Sequence, residues 1–109
     1  MPSLGSFTLA GKSGTPYRFR AYPLGTTFKK GFAAVYIVTQ RKRSTTAGGM
    51  QHKPLLLGQS EDLRQPKGDG DTPFDINANC ICVHAEQDHG ARRGIQEDLV
   101  SIGIRRTDQ

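Results

Sequence analysis

The chain of 109 residues has no tryptophan, two methionines and two cysteines. The cysteines are too few for a disulfide-dense secreted scaffold. Both lie in NCICVH as Cys80 and Cys82. On a strand, residues two apart face the same way with Cα atoms ~6.6 Å apart, at the edge of disulfide reach. Free thiols are therefore expected, which suits a reducing compartment. No apolar run approaches the ~20 residues that a membrane-spanning helix needs, and no apolar leader core follows Met1. These features predict a soluble, cytoplasmic protein without a membrane partner. Thirteen glycines and the missing tryptophan predict many turns around a small core.

Acidic residues are missing from residues 1–57. That half carries nine Lys/Arg and no Asp or Glu, while the remaining residues carry six Lys/Arg against ten acids. A field of this kind attracts polyanions, and each phosphate contact adds affinity that salt removes. Nucleic acid, DNA or RNA, is the expected partner. Its candidate contacts are Arg18, Arg20, Lys29, Lys30, Arg41, Lys42, Arg43 and Lys53. A solvated surface neutralised by the acidic half is the plainer reading of the same charges, and a protein partner fits it.

Along the chain, SFTLAGKSGTPYRFRAYPLG alternates apolar and polar residues on both sides of a Gly-containing turn. Phe7 and Leu9 on one arm and Tyr17, Phe19 and Ala21 on the other predict a hairpin with Arg18 and Arg20 pointing outward. GFAAVYIVTQ is a β-branched run suited to a central strand. RKRSTTAGGMQHK reads as a polar loop of about a dozen residues, and PLLLG as a short buried strand. SEDL offers Ser60 as a helix N-cap with acids in the first turn. RQPKGDGDTPFDINAN lacks periodicity, so residues 65–78 are expected to form a mobile loop. CICVHA alternates again. Asp88 is placed to cap a helix over residues 89–102, with Ala91, Ile95, Leu99 and Ile102 on one face. The whole reads as one α+β domain, a small and mostly antiparallel sheet flanked by short helices. The hairpin occupies residues 1–24, the core 32–102 and a polar tail 103–109.

Tyr36 within AAVYIVT, Gly58 at the end of LLLG and the following GQSEDL resemble the motifs of the GIY-YIG nucleases. NANCICVHAEQDHGARRGIQEDLV resembles the last strand and helix of a small bacterial branch of that family. In that branch a hairpin like FTLAGKSGTPYRFRAYPL precedes the first motif, so the resemblance covers nearly the whole chain. It implies a GIY-YIG-like fold and phosphodiester hydrolysis. In the family a first-motif Tyr works near the attacking water, with a second-motif Tyr beside it. An Arg on the following helix stabilises phosphate charge, and a Glu on a later helix holds one divalent cation. A hard cation needs an anionic oxygen ligand, and developing phosphate charge needs a fixed guanidinium.

Carried over residue by residue, Tyr36 matches the first Tyr and Gly58 the motif glycine. Leu56 stands at the second Tyr's place, Pro66 at the Arg's and Gln96 at the Glu's. Arg64 and Glu97 are neighbours on the wrong helical faces to substitute. Arg92 and Arg93 are further cations without an assigned place. The resemblance thus implies a catalytically degenerate nuclease-like module that binds nucleic acid and needs no cofactor. The alternatives are an active endonuclease with relocated ligands, using Mg²⁺ or Mn²⁺, and a protein-interaction module that keeps only the scaffold.

Cys80, Cys82 and His84 form C-x-C-x-H on one strand face. On an extended strand, positions 80 and 84 are ~13 Å apart, whereas zinc ligands converge within about 2.3 Å of the ion. No metal site is expected from this motif, and strand-end or surface positions are expected for His52, His84 and His89.

Overall fold

The computed structural model describes residues 4–43, 50–63, 79–101 and 103. The expected mobile loop at 65–78 lies outside these, as do Arg64, Pro66, Ile102 and all of the polar tail except Gly103. Five strands are present: β1 (Ser6–Ala10), β2 (Pro16–Pro23), β3 (Ala34–Arg43), β4 (Met50–Ser60) and β5 (Cys80–Ala85). One helix follows, α1 (His89–Val100). The strands form one sheet in the order β1-β2-β5-β3-β4, and every pairing is antiparallel. The mostly antiparallel α+β architecture holds, with one helix among the described residues.

The hairpin of β1 and β2 pairs Phe7 with Phe19 and Leu9 with Tyr17. This places the apolar set on one face and Arg18 and Arg20 on the other, as period-2 alternation requires. β3 is an inner strand, paired on one side with β4 and on the other with β5.

Two sequence expectations change at β4. The polar loop expected after Gln40 is largely strand, because the ladder runs from Ala34↔Ser60 to Arg43↔Met50. Backbone pairing needs no apolar side chains, so the hairpin extends beyond its buried part. Ser60, expected to open a helix, ends β4 opposite Ala34, and its hydroxyl accepts the Asp62 backbone N–H at 3.0 Å in a tight turn. Residues 61–63 are not helical.

The sheet buries both faces. Phe19, Ala21, Val35, Ile37, Leu57, Cys80 and Cys82 join Ile95 and Leu99 of α1 on one. Ala34, Tyr36, Val38, Ile81 and Val83 join Leu63 on the other, where the segment after β2 supplies Phe28 and Phe32. Phe28 stacks on Phe32 and meets Tyr22 edge-on. The sheet curls around the helix-covered face. Phe7 on one edge strand and His52 on the other come within 4.9 Å, ring centre to ring centre.

α1 begins as expected, with the Asp88 carboxylate accepting the Ala91 N–H at 2.8 Å. Its first turn is locked by Arg92, which is 2 % exposed. Arg92 donates to the Glu86 and Gln87 carbonyls and to Gln59 Oε1 of β4. Its last turn is tied to the first hairpin through Asp98, which accepts from Ser13 N, Ser13 Oγ and Tyr17 Oη. Gly11 lies so close to this carboxylate that a Cβ there would have to displace the Asp98 side chain.

Candidate functional site

Alternation along β3 sends Tyr36 to the face away from α1, while Val35 and Ile37 face the helix. Tyr36 lies opposite Gly58, and Leu56 lies opposite Val38 on the same face. The hairpin thus brings Tyr36, Leu56 and Gly58 together. A Cβ on Gly58 would sit 2.5 Å from the Tyr36 hydroxyl oxygen, so the tyrosine ring itself requires the glycine. Tyr36 is 9 % exposed, and desolvation pushes its hydroxyl above the ordinary tyrosine range.

Gln96 is half-buried on α1, whose Ile95 and Leu99 pack on the opposite face of the sheet. The fold does not gather it with Tyr36. Pro66 lies outside the described residues.

The cations separate in a similar way. Arg18 and Arg20 are exposed on β2, on the face that Tyr36 shares. Lys29 and Lys30 are exposed on the segment that covers that face. Lys42 and Lys53 are exposed near the far end of the β3–β4 hairpin and, with Gln40 and His52, line a cavity of about 360 Å³. Arg41 turns to the helix-covered face instead. Its Nε is buried without a hydrogen-bond partner among the described residues. The Arg43 side chain is outside the described set. Arg92 is a structural clamp, and Arg93 is exposed on α1. Asp88, Glu97 and Asp98 belong to α1 or its cap, while Asp62 accepts the Gly31 N–H beside Lys29 and Lys30.

A second constellation sits at the uncovered end of the helix-side face. His52, Cys80 and Cys82 place a ring nitrogen and two sulfurs within 4.8 Å of one another. Thr39, fully buried on β3, joins them. Its hydroxyl oxygen is 3.0 Å from His52 Nδ1 and 3.8 Å from Cys82 Sγ, and His52 Nδ1 is 3.9 Å from Cys82 Sγ. Both cysteines are free. A hydrogen bond from the Cys82 thiol draws the Cys80 thiol down to about 7, helped by Thr39 and the nearby Arg41 guanidinium. The same pairing, with burial, pushes Cys82 up. Desolvation and then Arg41 lower His52, so its imidazole is neutral near pH 7.

His84, the histidine of C-x-C-x-H, is not in this group. Its Nδ1 donates to the Arg18 carbonyl at 2.9 Å, and its ring packs against Tyr17 and Phe19. The sequence spacing gave no sign of His52, which lies 28 positions from Cys80 and is aligned with it by the sheet. Arg92 did leave a sign: it stands three residues before Ile95 and seven before Leu99, on their own helical stripe.

No protein-family model, curated protein or solved structure matches the chain. Among the described residues, no helix is long and apolar enough to cross a membrane.

Proposed function

We propose that the chain is a GIY-YIG-like module that binds nucleic acid through its basic half and does not cleave it. One observation carries the reading: the acid-free half presents Arg18 and Arg20 in the open, on the face where Tyr36, Leu56 and Gly58 meet. Lys29 and Lys30 extend the same charge. A surface of this composition gains affinity by releasing counterions from phosphates, without reading bases.

The site chemistry supports binding over hydrolysis. Leu56 offers no hydroxyl beside Tyr36. Gln96 is neutral, and its helix packs across the sheet from Tyr36. At the Gln96 position a divalent cation finds no anionic oxygen, the ligand that hard cations require. A raised Tyr36 hydroxyl stays protonated at neutral pH, so it donates hydrogen bonds and supplies no anion.

The test is equilibrium binding of the full chain to labelled single-stranded and duplex DNA and RNA across salt. With about four phosphate contacts, affinity falls about 100-fold between 50 and 200 mM salt. Arg18→Glu with Arg20→Glu reduces the salt slope by about two contacts, and Arg41→Glu changes it least. Binding that ignores salt, or no binding at low salt, overturns the reading in favour of a protein-interaction module. In parallel, incubation with Mg²⁺ or Mn²⁺ yields no cleavage. EDTA-sensitive cleavage that Tyr36→Phe reduces would establish a working enzyme with relocated ligands.

A further inference from the structure

The thiol–imidazole group of the helix-side face is built by an irregularity in the β3–β4 ladder. Val38 pairs with Leu56, but Thr39 pairs with Pro54, leaving Leu55 as an extra residue on β4. A one-residue insertion of this kind reverses which side chains face the core from that point onward. Thr39 shares its face with Ile37, and beyond the bulge Pro54 and His52 join that face. In an unbroken ladder, Thr39 would face Leu55 and Arg41 would face Lys53, and His52 would point to the other side. Pro54 suits the place, because β4 is an edge strand and proline is tolerated at edges and bulges. From β5, Cys80 lies opposite Thr39, and Cys82 opposite Ile37. Two strands on either side of β3 therefore aim one imidazole and two thiols across a buried hydroxyl.

We infer that His52, Cys80 and Cys82 form a binding site for one zinc ion, with the fourth coordination position open to solvent or a ligand. Neutral imidazole and thiolate are the ligands zinc prefers, with metal–sulfur bonds of about 2.3 Å and metal–nitrogen bonds of about 2.0–2.1 Å. Tetrahedral bonds of those lengths set ligand atoms about 3.5–3.8 Å apart. The observed His52–Cys82 separation of 3.9 Å is close to that range, and the rest of the set lies within 4.8 Å.

Thr39 acts as a positioning residue: with zinc on His52 Nδ1, its hydroxyl is free to donate to the Cys82 thiolate, whose sulfur lies 3.8 Å away. Next to the group is a cavity of about 190 Å³ lined by Phe7, Leu9, Ile37, Thr39, His52 and Pro54. It leaves room for a water or a small ligand atom as the fourth donor. Three protein ligands with an open position is the pattern of zinc sites that exchange a ligand, as opposed to closed four-ligand structural sites. This inference is independent of nucleic-acid binding.

The test uses the reduced full chain with Co²⁺ as a spectroscopic probe and Zn²⁺ as competitor. One equivalent of Co²⁺ produces thiolate-to-metal charge-transfer bands and the visible bands of a tetrahedral site, and one equivalent of Zn²⁺ abolishes them. Cys80→Ser, Cys82→Ser and His52→Gln each weaken zinc binding by more than about 100-fold, and Thr39→Val weakens it by about tenfold, as loss of an outer-shell partner does. His84→Gln has no effect. X-ray absorption of the zinc-loaded wild type finds two sulfurs and one imidazole nitrogen. Zinc also slows alkylation of both cysteines in the wild type, a measurement that holds even where a variant fails to fold. A missing thiolate band, a band that survives Cys82→Ser in a folded protein, or alkylation unchanged by zinc overturns the site.

Discussion

The two faces of β3 are held by different means. Toward α1, Val35 and Ile37 lie in a core bordered by specific polar ties: Arg92 to Gln59 and two carbonyls, and Asp98 to Ser13 and Tyr17. Farther along this face, the polar group is Thr39 with His52 and the cysteines. Away from α1, Ala34, Tyr36 and Val38 are covered by aromatic packing from Phe28 and Phe32, and the exposed edge is cationic. Directional bonds fix one face, while shape and a close tyrosine–glycine contact fix the other. One strand thus serves two surfaces with separate chemistry, because successive side chains alternate.

The largest break in this contrast is expected from Arg92→Met. The aliphatic side chain fills the space but leaves the Glu86 and Gln87 carbonyls and Gln59 without their donor. Buried acceptors left unsatisfied cost about 1–3 kcal/mol each before relaxation, so a loss of about 3 kcal/mol is expected in urea unfolding. A loss below about 0.5 kcal/mol would show that water replaces the clamp and that the helix-side face depends on apolar contact alone.

Gly58→Ala tests the other face. The added methyl must displace the Tyr36 ring, an overpacking cost of about 1–3 kcal/mol. In the double variant Gly58→Ala with Tyr36→Leu, the coupling between the two positions offsets part of that cost. Strict additivity would mean that the glycine serves the backbone and not the ring. Tyr36→Phe alone removes one hydroxyl and is expected to cost about 1 kcal/mol or less.

Asp98→Asn has the smallest expected effect and reads out through pH. Hydrogen bonds from Ser13 and Tyr17 hold the Asp98 carboxyl below the usual carboxylate range. Its contribution is therefore present above the unfolded-state value and lost as pH falls through the depressed folded-state value. The same bond raises Tyr17, whose contribution is present below the ordinary tyrosine value and lost as pH rises through the raised one. Asp98→Asn should flatten the stability profile at both the acidic and the alkaline ends, measured by thermal unfolding across pH. Unchanged acid and alkaline limbs would remove Asp98 as the tie between α1 and the first hairpin.

The sequence legibly set out the local elements. Alternation in FTLA and YRFRA marked the hairpin, the β-branched run AVYIV marked an inner strand, and Asp88 with Ile95 and Leu99 marked α1 and its buried stripe. These signals are short-range: side-chain period, cap chemistry and β-branching act within a few residues. The length of β4 was hidden because its outer half pairs through backbone groups beneath polar side chains. Of the expected nucleic-acid contacts, Arg18 and Arg20 could be assigned an outward face from alternation, whereas the inward turn of Arg41 could not.

The sequence by itself determined a basic half, an acidic half, two same-facing thiols and a tyrosine–glycine pair on neighbouring strands. Only the tertiary structure decided which of these meet. Tyr36 and Gln96 are parted because α1 packs on the face that Tyr36 does not share. His52 joins Cys80 and Cys82 because one extra residue at Leu55 turns it across the sheet. Both outcomes depend on long-range register, which a single inserted residue inverts while every local pattern around it stays the same.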